Sequence, residues 1–182
     1  MTGRLLLSEP LPAAETEPWT TAAERAEAAR FGSERRRREY LTWLTLVRRE
    51  RGRGAQIAYD GVGAPQVTEP GGFFIGVSHC RERVAVCIST ERCAVDIESV
   101  GRDFAAASER CMTAGERALS DDGRLGALLW CAKETLYKYA GRRELDLLRD
   151  LRILSVDIAA GRIVGRICDG EPLELQLRFV DG

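Results

Sequence analysis

An α+β fold made of two halves of similar plan is predicted by two observations. Helical patterns followed by strand patterns occur twice along the 182 residues, and 45% of the chain is hydrophobic, enough to build a genuine core at this length. The change falls near residue 100, so the expected halves are 1–99 and 100–182. No low-complexity linker separates them.

The elements follow in order. Leu5-Leu6-Leu7 is too short an apolar run for a secretory signal, and no run approaches the roughly 20 residues of a membrane span. A cytoplasmic protein without membrane contact is expected. Thr21-Ala22-Ala23-Glu24 has the spacing of a capping box and predicts a helix toward Arg30. Ser33 can cap a second helix over 34–51, with Tyr40, Leu41, Leu44 and Val47 on one face and Gly52 as its stop. Strands are predicted at 56–59, near Val67 and at 73–78, with a turn at Asp60-Gly61. Val84–Ile88 and Cys93–Glu98 flank a polar stretch and predict a hairpin. Helices return over 103–119 and 123–140, with Gly141 as the stop. The last strand alternates Leu173, Leu175, Leu177 and Phe179 with polar residues.

Charge and cysteine usage exclude several classes of function. The net charge of −1 gives no global pull toward nucleic acid, although residues 24–53 hold ten Arg against five Glu. Aromatic side chains are not interleaved with that basic run, as a nucleic-acid binder would need. Six cysteines without C-x-x-C spacing, and a single histidine, do not compose a zinc site. Reduced cysteines in apolar runs, such as Cys87, behave as small hydrophobes. Of 27 basic residues only Lys133 and Lys138 are lysine, in one segment of a chain that otherwise uses arginine.

Three short motifs carry chemistry. In Ala94-Val95-Asp96-Ile97-Glu98 a strand period would put two carboxylates on one face, about 7 Å apart at the backbone, where a hard cation would relieve their repulsion. In Trp130–Lys138 the helical period places Trp130, Glu134 and Lys138 on one face, a carboxylate and an ammonium pointing the same way. Val77-Ser78-His79 at a strand end offers a hydroxyl and an imidazole suited to a phosphate. A Ser/His/Asp hydrolase is disfavoured, because Ser78 and His79 are neighbours and no G-x-S-x-G elbow surrounds them.

In that order, Ser78-His79, Ala94-Val95-Asp96-Ile97-Glu98, Glu116 and Trp130-Cys131-Ala132-Lys133-Glu134-Thr135-Leu136-Tyr137-Lys138 resemble the 4'-phosphopantetheinyl transferase superfamily, over residues 31–141. The resemblance implies two α+β halves about a pseudo-twofold axis, as in the monomeric members, with coenzyme A and Mg²⁺, or Mn²⁺ in its place, in the cleft between them. By the same resemblance Asp96, Glu98 and Glu134 hold the metal, Lys138 stabilises and protonates the leaving phosphate, and Glu116 is the base for a carrier-protein serine, directly or through water. Ser78 and His79 contact a coenzyme A phosphate, and Lys133 supports the site or its phosphates. The partners implied are coenzyme A and an apo acyl- or peptidyl-carrier protein, as in fatty acid or polyketide biosynthesis.

The chain departs from the family most at two places, with milder departures at Ala94, where Gly is usual, and at Cys80, where Ser is common. Many members carry Arg where this chain has Leu44, and Lys in a G-K-P segment where it has Gly63-Ala64-Pro65. Arg48, Arg49 and the Arg35–Arg38 run, including Arg38, are the residues that would compensate. The competing expectation is a relative without catalysis that keeps the fold, or a metal or nucleotide site, as a binding module.

Overall fold

In the computed structural model, which describes residues 3–180, the expected α+β composition is present. The chain divides into two compact units, Met1–Ile97 and Glu98–Gly182. The junction lies between the two carboxylates of the D-x-E motif, against the 99/100 boundary expected from sequence.

In the first unit the helix signals act as their chemistry dictates. The Thr21 hydroxyl accepts from the Glu24 amide while the Glu24 carboxylate accepts from the Thr21 amide, closing a capping box over α2 (Ala22–Ala29), which follows the short α1 (Ala13–Thr16). Such a cap contributes about 1 kcal/mol. Ser33 accepts from Arg36 N at 3.2 Å and opens α3 (Glu34–Arg51), and Gly52, at φ 99°, ends it. The buried side chains Trp43, Leu44 and Val47 pack α3 onto a five-stranded antiparallel sheet. Its strands are β1 (Arg4–Ser8), β2 (Gln56–Tyr59), β3 (Pro65–Glu69), β4 (Phe73–His79) and β5 (Val84–Ser89), in the order β1-β5-β4-β3-β2.

The sheet overturns one expectation. Cys93–Glu98 is not a strand and makes no hairpin with β5, because both edges of β5 are already taken, by β4 and by the N-terminal β1. The Leu5-Leu6-Leu7 run supplies that missing strand, pairing Arg4 to Ile88 through Ser8 to Val84. Residues 93–95 instead cross over β4. Cys93 Sγ lies 3.6 Å from the Phe74 carbonyl, and a Cβ on Gly76 would stand 2.9 Å from Ala94 Cα and 2.6 Å from Cys87 Sγ. Only glycine permits so close a backbone approach.

In the second unit the predicted helix over 103–119 is broken. Met112 is extended (φ −127°, ψ 132°), so α4 (Ala105–Cys111) stops there, and Thr113 caps a separate short α5 (Ala114–Arg117) with Glu116 as its box partner. The long α6 (Leu125–Ala140) ends on Gly141 in the left-handed region at φ 59°, as its sequence predicts. Leu125, Leu128, Leu129, Ala132 and Leu136 form its buried stripe against a three-stranded antiparallel sheet, β6 (Leu151–Asp157), β7 (Arg162–Ile167) and β8 (Leu173–Gln176). The predicted last strand is shorter than its alternation. β8 ends at Gln176, Leu177 N donates to the Gly161 carbonyl at 2.8 Å, and Arg124 lies 4.2 Å from the centroid of the Phe179 ring.

Candidate functional site

The face of α6 opposite its core stripe carries half-buried Trp130, Glu134 and Lys138, as the four-residue spacing predicts. Glu98 and Arg102, where the chain enters this unit, extend that face. Arg102 donates to Glu98 while its guanidinium lies 5.0 Å from the Phe104 ring centroid and 5.8 Å from that of Trp130. The D-x-E glutamate and the tryptophan of the helix motif therefore share one arginine. Arg102 was not singled out in the sequence; its only signal was the i,i+4 spacing from Glu98.

Beneath that face lies a buried ion pair. Lys133 is completely buried, and its ammonium donates to the Leu147 and Leu151 carbonyls at 2.8 Å each and meets Glu116 Oε1 at 2.9 Å. All three of its donors are thus used. Glu116 accepts from Ile153 N at 2.8 Å through Oε1 and from Thr113 N at 2.7 Å through Oε2. Burial pushes the Lys133 pKa down, against the pull of Glu116. Burial would raise the Glu116 pKa, yet the Ile153 and Thr113 amides and Lys133 hold it below its usual range.

These contacts correct one sequence expectation and re-aim another. Lys133 does not reach a phosphate, since its ammonium is enclosed by carbonyls and a carboxylate. A low-pKa carboxylate with both oxygens engaged is a poor proton acceptor, so Glu116 is better suited to holding α5, α6 and β6 together than to deprotonating a serine.

In the first unit, the Ser78 hydroxyl donates to Asp96 Oδ1 at 2.7 Å and accepts from Ile97 N at 3.3 Å. Ser78 thus fixes Asp96 and the backbone beside it. His79, on the other side of β4, faces Glu39 Oε2 with Nδ1 at 3.4 Å, and its Nε2 accepts from Arg36. Because a guanidinium can only donate, the proton of a neutral His79 resides on Nδ1, toward Glu39. Glu39 is nearly fully buried and also faces Arg35 Nε at 3.4 Å. Sequence reading counted Glu39 among the five glutamates of the basic stretch but gave it no role.

The compensating arginines divide. Arg48 is buried: it forms a two-pronged pair with Glu24 at 2.7 and 2.8 Å and donates to the Ala55 and Trp19 carbonyls, so it ties α2 to α3 and does not serve a phosphate. Leu44 is 1% exposed and packs in the core. Arg49 and Arg38 are exposed, Arg49 pairing with Glu15 at 3.1 Å and Arg38 donating to the Leu11 and Pro10 carbonyls.

Among the described residues no three His, Cys, Asp or Glu side chains stand close enough together to hold a metal ion. The donors Asp96, Glu98 and Glu134 are all hard carboxylate oxygens, which suit Mg²⁺, and a hydrogen bond such as that from Ser78 to Asp96 is the usual support for a metal-binding carboxylate. A cation at Glu98 would have to displace Arg102, which pairs with that carboxylate. Arg102→Gln is accordingly expected to lower the Mg²⁺ concentration giving half-maximal binding by several-fold, on the order of one exposed ion pair. Titration followed by tryptophan fluorescence would show it, and an unchanged midpoint would remove the competition.

Half-buried Glu134 and Lys138 on one face of α6, with Glu98 drawn beside Trp130 by Arg102, are groups of the kind that manage phosphate charge. Residues 92–180 match the model of the 4'-phosphopantetheinyl transferase superfamily and form a domain of that superfamily. Members transfer phosphopantetheine from coenzyme A to carrier proteins, with a divalent metal. A search of curated proteins found no match. No helix among the described residues is long and apolar enough to cross a membrane.

Proposed function

We propose that this chain transfers the 4'-phosphopantetheine group of coenzyme A to a serine of an apo acyl- or peptidyl-carrier protein, releasing adenosine 3',5'-bisphosphate. The observation that carries the reading is the face of α6 inside the superfamily match, where Glu134 and Lys138 project from the helix whose Trp130 shares Arg102 with Glu98. Phosphoryl transfer needs alignment and charge neutralisation rather than a protein nucleophile, and these side chains supply both.

Bound by Asp96, Glu98 and Glu134, Mg²⁺ would neutralise and align the pyrophosphate oxygens. Ser78 keeps Asp96 in a fixed rotamer through its 2.7 Å hydrogen bond. Lys138 sets an ammonium beside the leaving phosphate, where it offsets the developing charge and can deliver a proton. Arg36 turns its guanidinium toward a coenzyme A phosphate, giving up its contact with His79, whose Nε2 then donates to the same phosphate in the tautomer that carries the proton there. Glu116 and Lys133 hold α6 in place from below, and the serine proton passes to water.

The test is incubation of the protein with coenzyme A, Mg²⁺ and a panel of apo carrier proteins, followed by intact-mass measurement. A gain of one phosphopantetheine on a carrier is expected. No gain on any carrier, together with no coenzyme A binding by calorimetry, would favour the binding-module reading. That second reading draws on Arg48 and Leu44, which being buried leave fewer phosphate anchors.

A further inference from the structure

The edge of the second unit's sheet carries an arrangement of charge that the transfer reaction does not use. Arg152 on β6 stands directly opposite Arg166 on β7 in the antiparallel register. Like charges facing each other across strands are destabilising, and a fold that keeps them without compensation is uncommon. Among the described residues neither guanidinium has a carboxylate partner. Arg152 donates weakly to the Arg149 carbonyl at 3.4 Å, and the Nε of Arg166 is buried with no hydrogen-bond acceptor. A buried donor left unmet costs free energy, and a bound ion is a common explanation for one.

Both arginines, with Arg149, line a cavity of about 430 Å³ whose wall continues to Thr113 and Gly115 on α5. The volume is that of a small-molecule site. The carboxylates on the same wall do not answer the two arginines. Glu116 is neutralised by Lys133, Asp150 accepts the Asp146 amide at 2.8 Å, and Asp169 pairs with neither of them. Arg149 already has Asp146 at 3.7 Å.

The geometry points to a second ligand site in this unit, for a small phosphate-bearing anion held between Arg152 and Arg166 with Arg149 at its rim. Guanidinium forks address phosphate oxygens two at a time, and an anion lying between the opposed charges turns their repulsion into a shared attraction. Phosphate suits the pair better than a single carboxylate, because two forks can engage more than two oxygens. The site stands on residues outside those assigned to phosphopantetheine transfer, so it does not depend on that assignment.

Inorganic pyrophosphate is the probe, titrated into the isotopically labelled full chain with EDTA present, with amide resonances read residue by residue. Saturable shifts are expected at Thr113, Arg152 and Arg166. Arg166→Met and Arg152→Gln should each weaken the affinity at least about tenfold, the worth of one charge-assisted contact. Without pyrophosphate, both variants should melt no lower than the wild type, since the repulsion is relieved. Arg166→Lys should retain part of the binding. Unmoved amides at these positions, or affinities unchanged in both variants, would overturn the site. Citrate binding as tightly as pyrophosphate would overturn the preference for phosphate. With the two main variants on different strands, failure of one to fold leaves the other to decide.

Discussion

Lys133→Met is expected to destabilise the second unit by about 3 to 5 kcal/mol, because it leaves a buried carboxylate without its counter-charge. The cost extends beyond the pair. The carbonyls of Leu147 and Leu151, both bound to the ammonium at 2.8 Å, lose their donor at the same time. Glu116→Ala should cost a comparable amount, since it also frees the Ile153 and Thr113 amides and removes half of the cap on α5. Urea unfolding followed by circular dichroism reads both changes. A loss under about 1 kcal/mol for either variant would show that the pair is not what holds α5, α6 and β6 together.

The pH dependence has a definite sign. Glu116 is held below its unfolded value of 4.5, so its contribution is fully present above that value and fades as the pH falls through the folded pKa. The wild type should therefore lose stability on acidification below about pH 4.5 more steeply than Glu116→Gln, which has no carboxylate to protonate. Equal acid slopes for the two proteins would contradict the assignment.

The second large effect is expected on the opposite face of the same helix, with the opposite signature. Glu134→Ala and Lys138→Ala should each reduce phosphopantetheine transfer by about 10² to 10³-fold, the usual loss on removing one group that meets transition-state charge. Both side chains are half-buried and lie outside the core stripe, so the unfolding midpoint should shift little, within about 0.5 kcal/mol for substitutions of this kind. Rates come from mass measurement of the carrier at fixed times. Full wild-type transfer in both variants would remove the proposed chemistry. Within one helix, then, Lys133 should govern stability and Lys138 activity.

This contrast shows what a linear pattern can and cannot resolve. The four-residue spacing was enough to place Trp130, Glu134 and Lys138 together, since it depends only on helical geometry. The same spacing could not tell that Lys133 would be enclosed, because its carbonyl partners come from residues 147 and 151, beyond the end of the helix. Glu116 was legible as a residue of interest but was not read as a cap, because 103–119 was taken as one continuous helix, although Thr113-Ala114-Gly115-Glu116 has the same capping-box spacing as Thr21–Glu24. Asp96 was found through an assumed strand. The segment proved irregular, yet Asp96 is still held, by a serine eighteen residues earlier.

What the sequence determined by itself was local and periodic: the capping box at Thr21, the start of α3 at Ser33, the αL stop at Gly141, and the shared face of Glu134 and Lys138. Each follows from backbone hydrogen-bonding needs within one or two turns. What only the tertiary structure decided was which polar groups are spent on the fold. Pairing β1 with β5 displaced the expected hairpin, and burial turned Arg48 and Lys133 from candidate phosphate ligands into internal ties. A buried charge must find its partners wherever the chain brings them, and distant partners leave no mark on local sequence spacing.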